Sequence, residues 1–217
     1  TFSAWVKRGA LTTGTNQSIF SAGTTSSYST YLEVFFIGDS DKLNVYLNND
    51  TAYYVTTTRR FRDSTAWMHI FVVVDTEQGT DTNRLKLYIN GVQETSFSAS
   101  AYPTEDYDIP ALASGEEFRV GSRTNDDGRF FDGYIAEMVF LDGTTAAIGD
   151  MGEFNEDSPT IWQPKDPSGL TFGNNGFWLD FEASGNLGND ANGGTDFTES
   201  NLAAADQAID SSTNNFC

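Results

Sequence analysis

Short stretches of alternating apolar and polar residues run along most of the 217-residue chain, separated by clusters of Gly, Asn, Asp, Ser and Thr. Alternation with a period of two is typical of strands that bury one face. Short, closely spaced strands indicate an antiparallel sandwich rather than alternating strands and helices. The sequence therefore predicts an all-β fold, an antiparallel β-sandwich. The predicted strands are residues 2–7, 17–22, 31–37, 43–48, 53–58, 67–75, 84–90, 92–97, 117–121, 130–141 and 176–182.

The clearest local prediction is a hairpin over residues 84–92. Leu85, Leu87 and Ile89 point to one face, and Asn90-Gly91 supplies the positive φ angles of a tight two-residue turn. Residues 31–37 and 70–74 are instead nearly continuous apolar runs. We expect each of these strands to be covered by the opposing sheet on one side and by loops or a neighbouring chain on the other.

The remaining segments are punctuated by turn residues and prolines. Residues 98–114 are rich in proline and acid, which predicts a long surface loop, and residues 146–152 predict a short helical turn. Three prolines then mark a connector that carries Trp162. We expect the sandwich to occupy residues 1–186, and an irregular tail of residues 187–217 to wrap its surface.

The charge of the chain limits its partners. With 31 acidic and 12 basic residues the formal net charge is −19, which repels polyphosphate and anionic membranes and excludes nucleic acid as a favoured partner. The acidity is explained most simply by solubility. Arg59, Arg60 and Arg62 are an exception that could meet an anionic sugar, although balancing nearby carboxylates is the favoured explanation.

The cysteine and histidine content limits which disulfides and metal sites the chain can form. Cys217 is the single cysteine, so the fold has no disulfide within the chain and no cysteine-based metal cluster. His69 is the single histidine and lies in an apolar run, which predicts a core or rim position and excludes a histidine-rich zinc site. No stretch approaches the roughly 18 apolar residues of a membrane span, so membrane insertion is not expected. The chain begins without methionine, and we expect it to be a segment or processed product of a larger protein.

Four segments follow one another in a recognisable order: residues 2–7 (FSAWVK), 67–70 (WMHI), 87–91 (LYING) and 131–140 (FDGYIAEMVF). This combination resembles the laminin-G-like, concanavalin A-like family, in which equivalent strands and an Asn-Gly hairpin recur in that order. The resemblance covers about residues 2–141 and implies a jelly roll of the concanavalin A-like type.

The C-terminal residues 176–182 (GFWLDFE) and 190–196 (DANGGTD) look like the strand and loop with which many such domains begin. Because they come last here, we expect a circular permutation in which residues 176–182 close the sandwich. The arrangement, with its connector near residues 152–154 and 162–165, is similar to domains in structural and tail proteins of marine tailed phages.

Some relatives are glycoside hydrolases or lyases that carry acids at alternate positions of one strand. The nearest pattern here is Asp180-Phe181-Glu182, whose two acids share a face of the predicted strand. The position two residues before Asp180 is Trp178 rather than a third acid. We therefore interpret this segment as a structural strand and predict no catalytic residue.

The resemblance also implies a calcium ion shared by the C-terminal loop and the closing strand, with Asp190, Asn192 and Glu137 as ligands. Calcium prefers carboxylate and amide oxygens. The sequence departs from the family pattern at Ala136, where relatives often carry Asp, and at Ala191-Asn192, which replaces the usual Ser-Gly pair.

A second acidic cluster contains Asp126 and Asp127, between Asn125 and Gly128. It is either a further calcium site or a hairpin turn, since these residue types tolerate turn conformations.

Sugar recognition would use exposed aromatic rings that stack on pyranose faces, although packing within a sheet is the favoured role for any single ring. The candidate rings are Tyr28, Tyr31, Tyr53, Tyr54, Tyr102 and Tyr107.

Two functions follow from these observations. The first is a non-catalytic binding module, a lectin-like jelly roll that recognises a cell-surface carbohydrate, with or without calcium. The second is a structural subunit of a virion, fibre or filament that associates with copies of itself or with other virion proteins. A polysaccharide-degrading enzyme is a distant third. Each places the chain outside a cell or on a virion surface.

Overall fold

A computed structural model describes residues 1–24, 30–124, 128–208 and 212. Two six-stranded sheets and one two-stranded hairpin form the fold, and every strand pair is antiparallel. The predicted all-β sandwich is thus confirmed. The strands are β1 (Phe2–Arg8), β2 (Gln17–Gly23), β3 (Thr30–Phe36), β4 (Leu43–Asn49), β5 (Thr51–Thr57), β6 (Met68–Val74), β7 (Leu85–Ile89), β8 (Val92–Glu94), β9 (Phe97–Ala101), β10 (Glu117–Val120), β11 (Gly133–Phe140), β12 (Gly152–Phe154), β13 (Trp162–Pro164) and β14 (Phe177–Leu179).

The two large sheets pack face to face over one apolar core. Sheet A has the strand order β14-β11-β1-β6-β7-β8, and sheet B has the order β10-β2-β3-β4-β5-β9. Alternate residues of each strand point into the core, as the period-two pattern predicts. Phe20 of sheet B lies among Phe2, Phe140 and Phe177 of sheet A, with ring centroids 5.2 to 5.9 Å apart.

The predicted Asn90-Gly91 hairpin joins β7 to β8 and is confirmed. Asn90 has φ +49° and Gly91 has φ +79°, as a tight two-residue turn requires. Gly91 is also packed against the indole of Trp162, since a Cβ atom placed there would lie 2.7 Å from Trp162 Cε3. The turn therefore needs glycine both for its backbone conformation and for the close approach of the tryptophan.

Several predicted boundaries were wrong. The predicted strand 92–97 is divided, because residues 95 and 96 carry the chain from β8 in sheet A to β9 in sheet B. The predicted loop 98–114 consequently begins only after Ala101. The sequence of β9 alternates serine with alanine, which gives little contrast between its faces. The predicted strand 176–182 ends at Leu179, since Phe181 has φ +59° and breaks the extended conformation.

The outer face of sheet A is covered by the connector that follows β11. The predicted helical turn is present as α1 (Ile148–Met151), and β12 and β13 form a hairpin that the sequence did not predict. This coverage confirms the expectation that the apolar run 70–74 is covered by loops on its outer side, although Val73 and Val74 stay partly exposed. A second, smaller apolar cluster lies between sheet and connector and contains Phe71, Val139, Leu141, Met151 and Phe172.

His69 is fully buried at the centre of this covered face. Its ring lies between those of Trp5 and Trp162, with centroids 5.1 and 6.1 Å away. Trp162 Nε1 donates a hydrogen bond to His69 Nδ1 over 3.0 Å, so His69 Nε2 carries the proton and donates to Ser3 Oγ over 2.8 Å. Burial penalises the charged imidazolium and lowers the pKa of His69 from 6.5 to about 3. The predicted core position of this histidine is confirmed.

The C-terminal residues pack against the open end of sheet A. Leu187 is buried, and the Phe197 ring lies 4.8 Å from that of Phe177 on β14. Within residues 187–208 and 212 the structure has turns and one short 3₁₀ helix, Ala204–Asp206, but no strand. The proposed division at residue 186 stays a prediction, as does the circular permutation. No helix within the described ranges has the length and apolar character needed to cross a bilayer.

We expect Gly91→Ala to destabilise the protein by more than positive φ alone explains. Gly143→Ala is a matched control, because Gly143 has φ +69° and a Cβ atom added there would have no other atom within 4 Å. The control should lose about 1 kcal/mol of unfolding free energy, whereas Gly91→Ala should lose clearly more because Trp162 must move. Urea unfolding of both variants measures the difference. Equal losses would contradict the close contact with Trp162.

We expect His69→Gln to change how stability depends on pH. At neutral pH the variant should be less stable by about 1–3 kcal/mol, because buried partners lose their hydrogen bonds. The folded-state pKa of His69 lies below the unfolded value, so unfolding takes up a proton between pH 6.5 and about 3. The wild type should therefore lose about 1.4 kcal/mol per pH unit relative to the variant as pH falls through this window. A pH-independent difference between the two proteins would contradict this assignment.

Candidate functional site

A row of stacked tyrosine rings lies on the outer face of sheet B. The ring of Tyr46 lies 5.3 Å from that of Tyr31 at an interplanar angle of 18°, and 6.0 Å from that of Tyr54 at 11°. Tyr46 is directly opposite Tyr54 across β4 and β5, and opposite Glu33 on β3, so Tyr31 is its diagonal neighbour. We call Tyr31, Tyr46 and Tyr54 the tyrosine stack.

One end of the stack is closed by a buried ionic cluster. The Arg123 guanidinium lies 4.4 Å from the ring centroid of Tyr31, which is a cation–π contact. Arg129 Nη1 donates to Glu33 Oε2 over 2.8 Å, and Arg123 Nε is 3.8 Å from the same oxygen. The Glu33 side chain has no exposed surface. The side chains of Arg123 and Arg129 therefore cover this part of the sheet, as expected for the apolar run 31–37.

The hydroxyl of Tyr31 stays protonated well above neutral pH. Burial raises the pKa of Tyr31 to about 12; Arg123 opposes the shift, whereas Tyr46 and Glu33 add to it. At physiological pH this end of the stack is therefore uncharged at the phenol and can both donate and accept a hydrogen bond.

At the opposite end of the stack, Tyr54 is partly exposed. Tyr54 pairs with Ala101 on β9, and the next residue on the same face of β9 is Ala99, opposite Thr56. Among the described residues, Tyr54 makes no ring contact other than that with Tyr46. The far side of the Tyr54 ring thus faces a shelf of two alanine methyl groups on the edge strand of sheet B, which we call the alanine shelf.

The other predicted tyrosines are placed elsewhere. Tyr53 points to the core side of β5, and its ring meets the edge of the Tyr107 ring at 4.9 Å. Tyr102 also packs against the core. Tyr28 lies outside the described residues. The structure therefore brings together Tyr31 and Tyr54 of the predicted set and separates Tyr53, Tyr102 and Tyr107 from them.

Two of the predicted calcium ligands near β14, Asp190 and Glu137, already have protein partners. Asp190 is buried, and its Oδ1 accepts from the backbone amides of Trp178 and Asn192 over 2.9 and 3.0 Å, while its Oδ2 accepts from the amide of Gly194 over 3.0 Å. Glu137 Oε2 accepts from Trp178 Nε1 over 3.0 Å. Burial raises the pKa of Glu137 above its ordinary value, an effect that the Trp178 hydrogen bond opposes. Asp190 thus binds the backbone amide of Trp178, and Glu137 binds its indole N–H.

Asp126 and Asp127 lie outside the described residues. Within the described part of the chain, no group of three or more His, Cys, Asp or Glu side chains is arranged to hold a metal ion. The calcium prediction is not decided by this geometry and stays a prediction.

Residues 1–147 match the family Laminin_G_3, described as the concanavalin A-like lectin/glucanases superfamily. The chain belongs to this superfamily. The predicted resemblance is therefore confirmed over two thirds of its 217 residues. No curated protein sequence matches this superfamily member.

Solved structures with a similar fold include domains of several proteins. The CBM40 domain of the Ruminococcus gnavus IT-sialidase has a TM-score of 0.46 and 15% identity, over 61% of this chain and 69% of that one. Domain 4 of AbnA, a GH43 extracellular arabinanase from Geobacillus stearothermophilus in complex with arabinotriose, has a TM-score of 0.45 and 25% identity, over 63% and 57%. A heptameric SAP-like pentraxin from Limulus polyphemus has a TM-score of 0.42 and 16% identity, over 63% and 60%.

The acidic pair near the C-terminus does not share a strand face in this superfamily member. β14 ends at Leu179, and the chain then turns so that Asp180 Oδ1 accepts the backbone amide of Glu182 over 3.0 Å. The expectation of two acids on one face of a strand was wrong, because the positive φ of Phe181 interrupts the alternation.

The cluster of predicted arginines balances carboxylates. Arg59 Nε lies 2.8 Å from Glu94 Oε2, and Arg62 Nε lies 2.9 Å from Asp41 Oδ2, which is fully buried. Although burial alone would raise the pKa of Asp41, hydrogen bonds from Thr12 and the arginines lower it to about 2. These contacts support the structural role that was favoured for this cluster.

Sequence reasoning missed Tyr46 and the ionic cluster. Tyr46 lies in a predicted strand, and pairing that strand with the next one through the turn at Asp50 would have placed Tyr46 beside Tyr54. The link between Glu33 and Arg129 has no comparable local signal, because 96 residues separate them in the chain.

We expect Asp190→Asn to lower the free energy of unfolding by about 1–3 kcal/mol. An amide keeps one acceptor oxygen but replaces Oδ2, so the Gly194 amide loses its buried partner. Asp180→Asn is the control at an acid in the same region. Thermal unfolding with calcium chloride and with a chelator also tests the calcium prediction, which requires a calcium-dependent rise in midpoint that Asp190→Asn abolishes. An Asp190→Asn protein as stable as wild type without calcium would contradict the structural role.

Proposed function

We propose that this chain is a non-catalytic carbohydrate-binding module, and that the sugar stacks on the open face of Tyr54 above the alanine shelf. The observation that supports this most strongly is the asymmetry of the tyrosine stack, whose one end is closed by Arg123 while the other ends at Ala101. A pyranose ring has an apolar C–H face that suits an aromatic ring, and hydroxyl groups that suit polar neighbours.

The tyrosine stack holds the ring of Tyr54 in place before a ligand binds. Contact with Tyr46 on one side limits the rotation of Tyr54, and Tyr46 is itself held by Tyr31 and by Arg123 beyond it. A ligand therefore loses less free energy to ordering of the site. The small side chains of Ala99 and Ala101 leave space beside the ring, which a larger residue would fill.

Membership of a superfamily whose description names lectins and glucanases supports sugar polymers as the ligand class. Binding without catalysis is supported by the state of Glu33, the carboxylate opposite Tyr46. It is buried and paired with Arg129, whereas glycoside hydrolysis requires two carboxyl groups that flank the scissile bond. We also propose that the module acts outside a cell or on the surface of a virion. The resemblance of the sequence to structural and tail proteins of tailed phages supports this location.

We expect Tyr54→Ala to weaken binding to a soluble polysaccharide at least tenfold, which corresponds to about 1.4 kcal/mol. Tyr54→Phe should bind nearly as well as wild type, because it keeps the ring face. Tyr134→Ala is the matched control, since Tyr134 is 48% exposed but belongs to sheet A. A glycan array followed by affinity electrophoresis in polysaccharide-containing gels measures these changes.

Two results would contradict the proposal. One is polysaccharide binding that Tyr54→Ala leaves unchanged, which would place the ligand elsewhere. The other is the absence of any retained sugar together with ordered oligomers in light scattering, which is the outcome that the self-assembling structural subunit predicts.

A further inference from the structure

A cleft lies on the outer face of sheet A, on the opposite side of the sandwich from the tyrosine stack. It has a volume of about 280 Å³, near the lower end of the range for small-molecule sites. Its floor is formed by the partly buried side chains of Val73 on β6 and Tyr88 on β7. Phe71 also lines the cleft but is only 1% exposed, and its ring meets that of Tyr88 at 5.5 Å and 62°. Residues 145–148, just before and at the start of α1, form one wall.

Three polar groups of different chemistry line the same cleft. They are the carboxylate of Asp75, the amide of Asn83 and the ammonium of Lys86. Asp75 Oδ2 accepts from Gln78 Nε2 over 2.7 Å, which leaves further acceptor capacity on the carboxylate. Among the described residues, Lys86 forms no ion pair within 4.0 Å, although Asp75 lines the same cleft.

We propose that this cleft binds one neutral sugar residue. The apolar floor matches the C–H face of a pyranose, Lys86 and Asn83 donate to its hydroxyl oxygens, and Asp75 and Asn83 accept from its hydroxyl groups. An anionic ligand would meet the Asp75 carboxylate, and a purely aliphatic ligand would bury polar groups without partners. A neutral polyol with one apolar face can contact the apolar floor and form hydrogen bonds with the three polar groups at the same time.

The larger cleft near β8 does not offer the same chemistry. It has a volume of about 400 Å³ and is lined by Arg59 and Glu94, whose ion pair at 2.8 Å already uses the charged groups there. The cleft at Lys86 is therefore the better candidate for a sugar site. It rests on its own residues and does not depend on the tyrosine stack, so the chain would present sugar sites on both outer faces.

Amide NMR spectra during titration with methyl glycosides of glucose, galactose, mannose and N-acetylglucosamine test this proposal. We expect saturable shifts in the millimolar range at the amides of Val73, Lys86 and Ala147 with at least one of these probes. Lys86→Ala and Asp75→Asn should each weaken these shifts severalfold. Lys42→Ala is the control at a lysine outside the cleft.

Tyr54→Ala separates this proposal from the proposed function, because it should leave the shifts at Val73 and Lys86 intact. Shifts confined to sheet B would overturn the second site while supporting the first. The absence of shifts around the cleft with every probe up to its solubility limit would also overturn it, as would shifts there that persist unchanged in both Lys86→Ala and Asp75→Asn.

Discussion

The contact between Trp162 and His69 holds the connector against the outer face of sheet A. A sheet with apolar residues on both faces must be covered twice, and sheet A has such residues in β1 and β6. The connector supplies the second cover, and Trp162 fixes it through a hydrogen bond to His69 and close contact with Gly91. Much of the outer face of sheet A is thereby covered, and the cleft at Lys86 is a part of that face that stays accessible.

The outer face of sheet B is covered by charged side chains rather than by an apolar connector. The arginines at positions 123 and 129 cover its centre by pairing with Glu33, a buried carboxylate that would be costly without them. Arg123 also contacts Tyr31, at one end of the tyrosine stack described above. A buried ion pair and a partly exposed tyrosine ring thus belong to one continuous arrangement, in which the polar cluster positions the aromatic row.

The two covers differ in how they respond to conditions. The cover of sheet A depends on a neutral imidazole, so acid weakens it. The cover of sheet B depends instead on ion pairs between one buried carboxylate and two guanidinium groups. Its partly exposed arginine also makes it sensitive to salt in a way that the buried tryptophan contacts are not.

Local patterns predicted much of this fold, whereas contacts between distant segments were not predictable. The Asn90-Gly91 turn and the alternation in β7 are local and were correct. β9 was missed because Ser and Ala side chains barely distinguish its two faces, although its backbone completes sheet B beside Tyr54. Trp162 was predictable only as a residue of the connector, because 93 residues separate it from the histidine that it meets.

The tyrosine stack binds sugar at the end that the arginine cover leaves accessible. Intermolecular nuclear Overhauser effects between a bound oligosaccharide and selectively labelled alanine methyl groups test this placement. We expect contacts from the sugar C–H protons to the methyl groups of Ala99 and Ala101 and to the ring of Tyr54. A bound oligosaccharide that contacts neither of these methyl groups would contradict it.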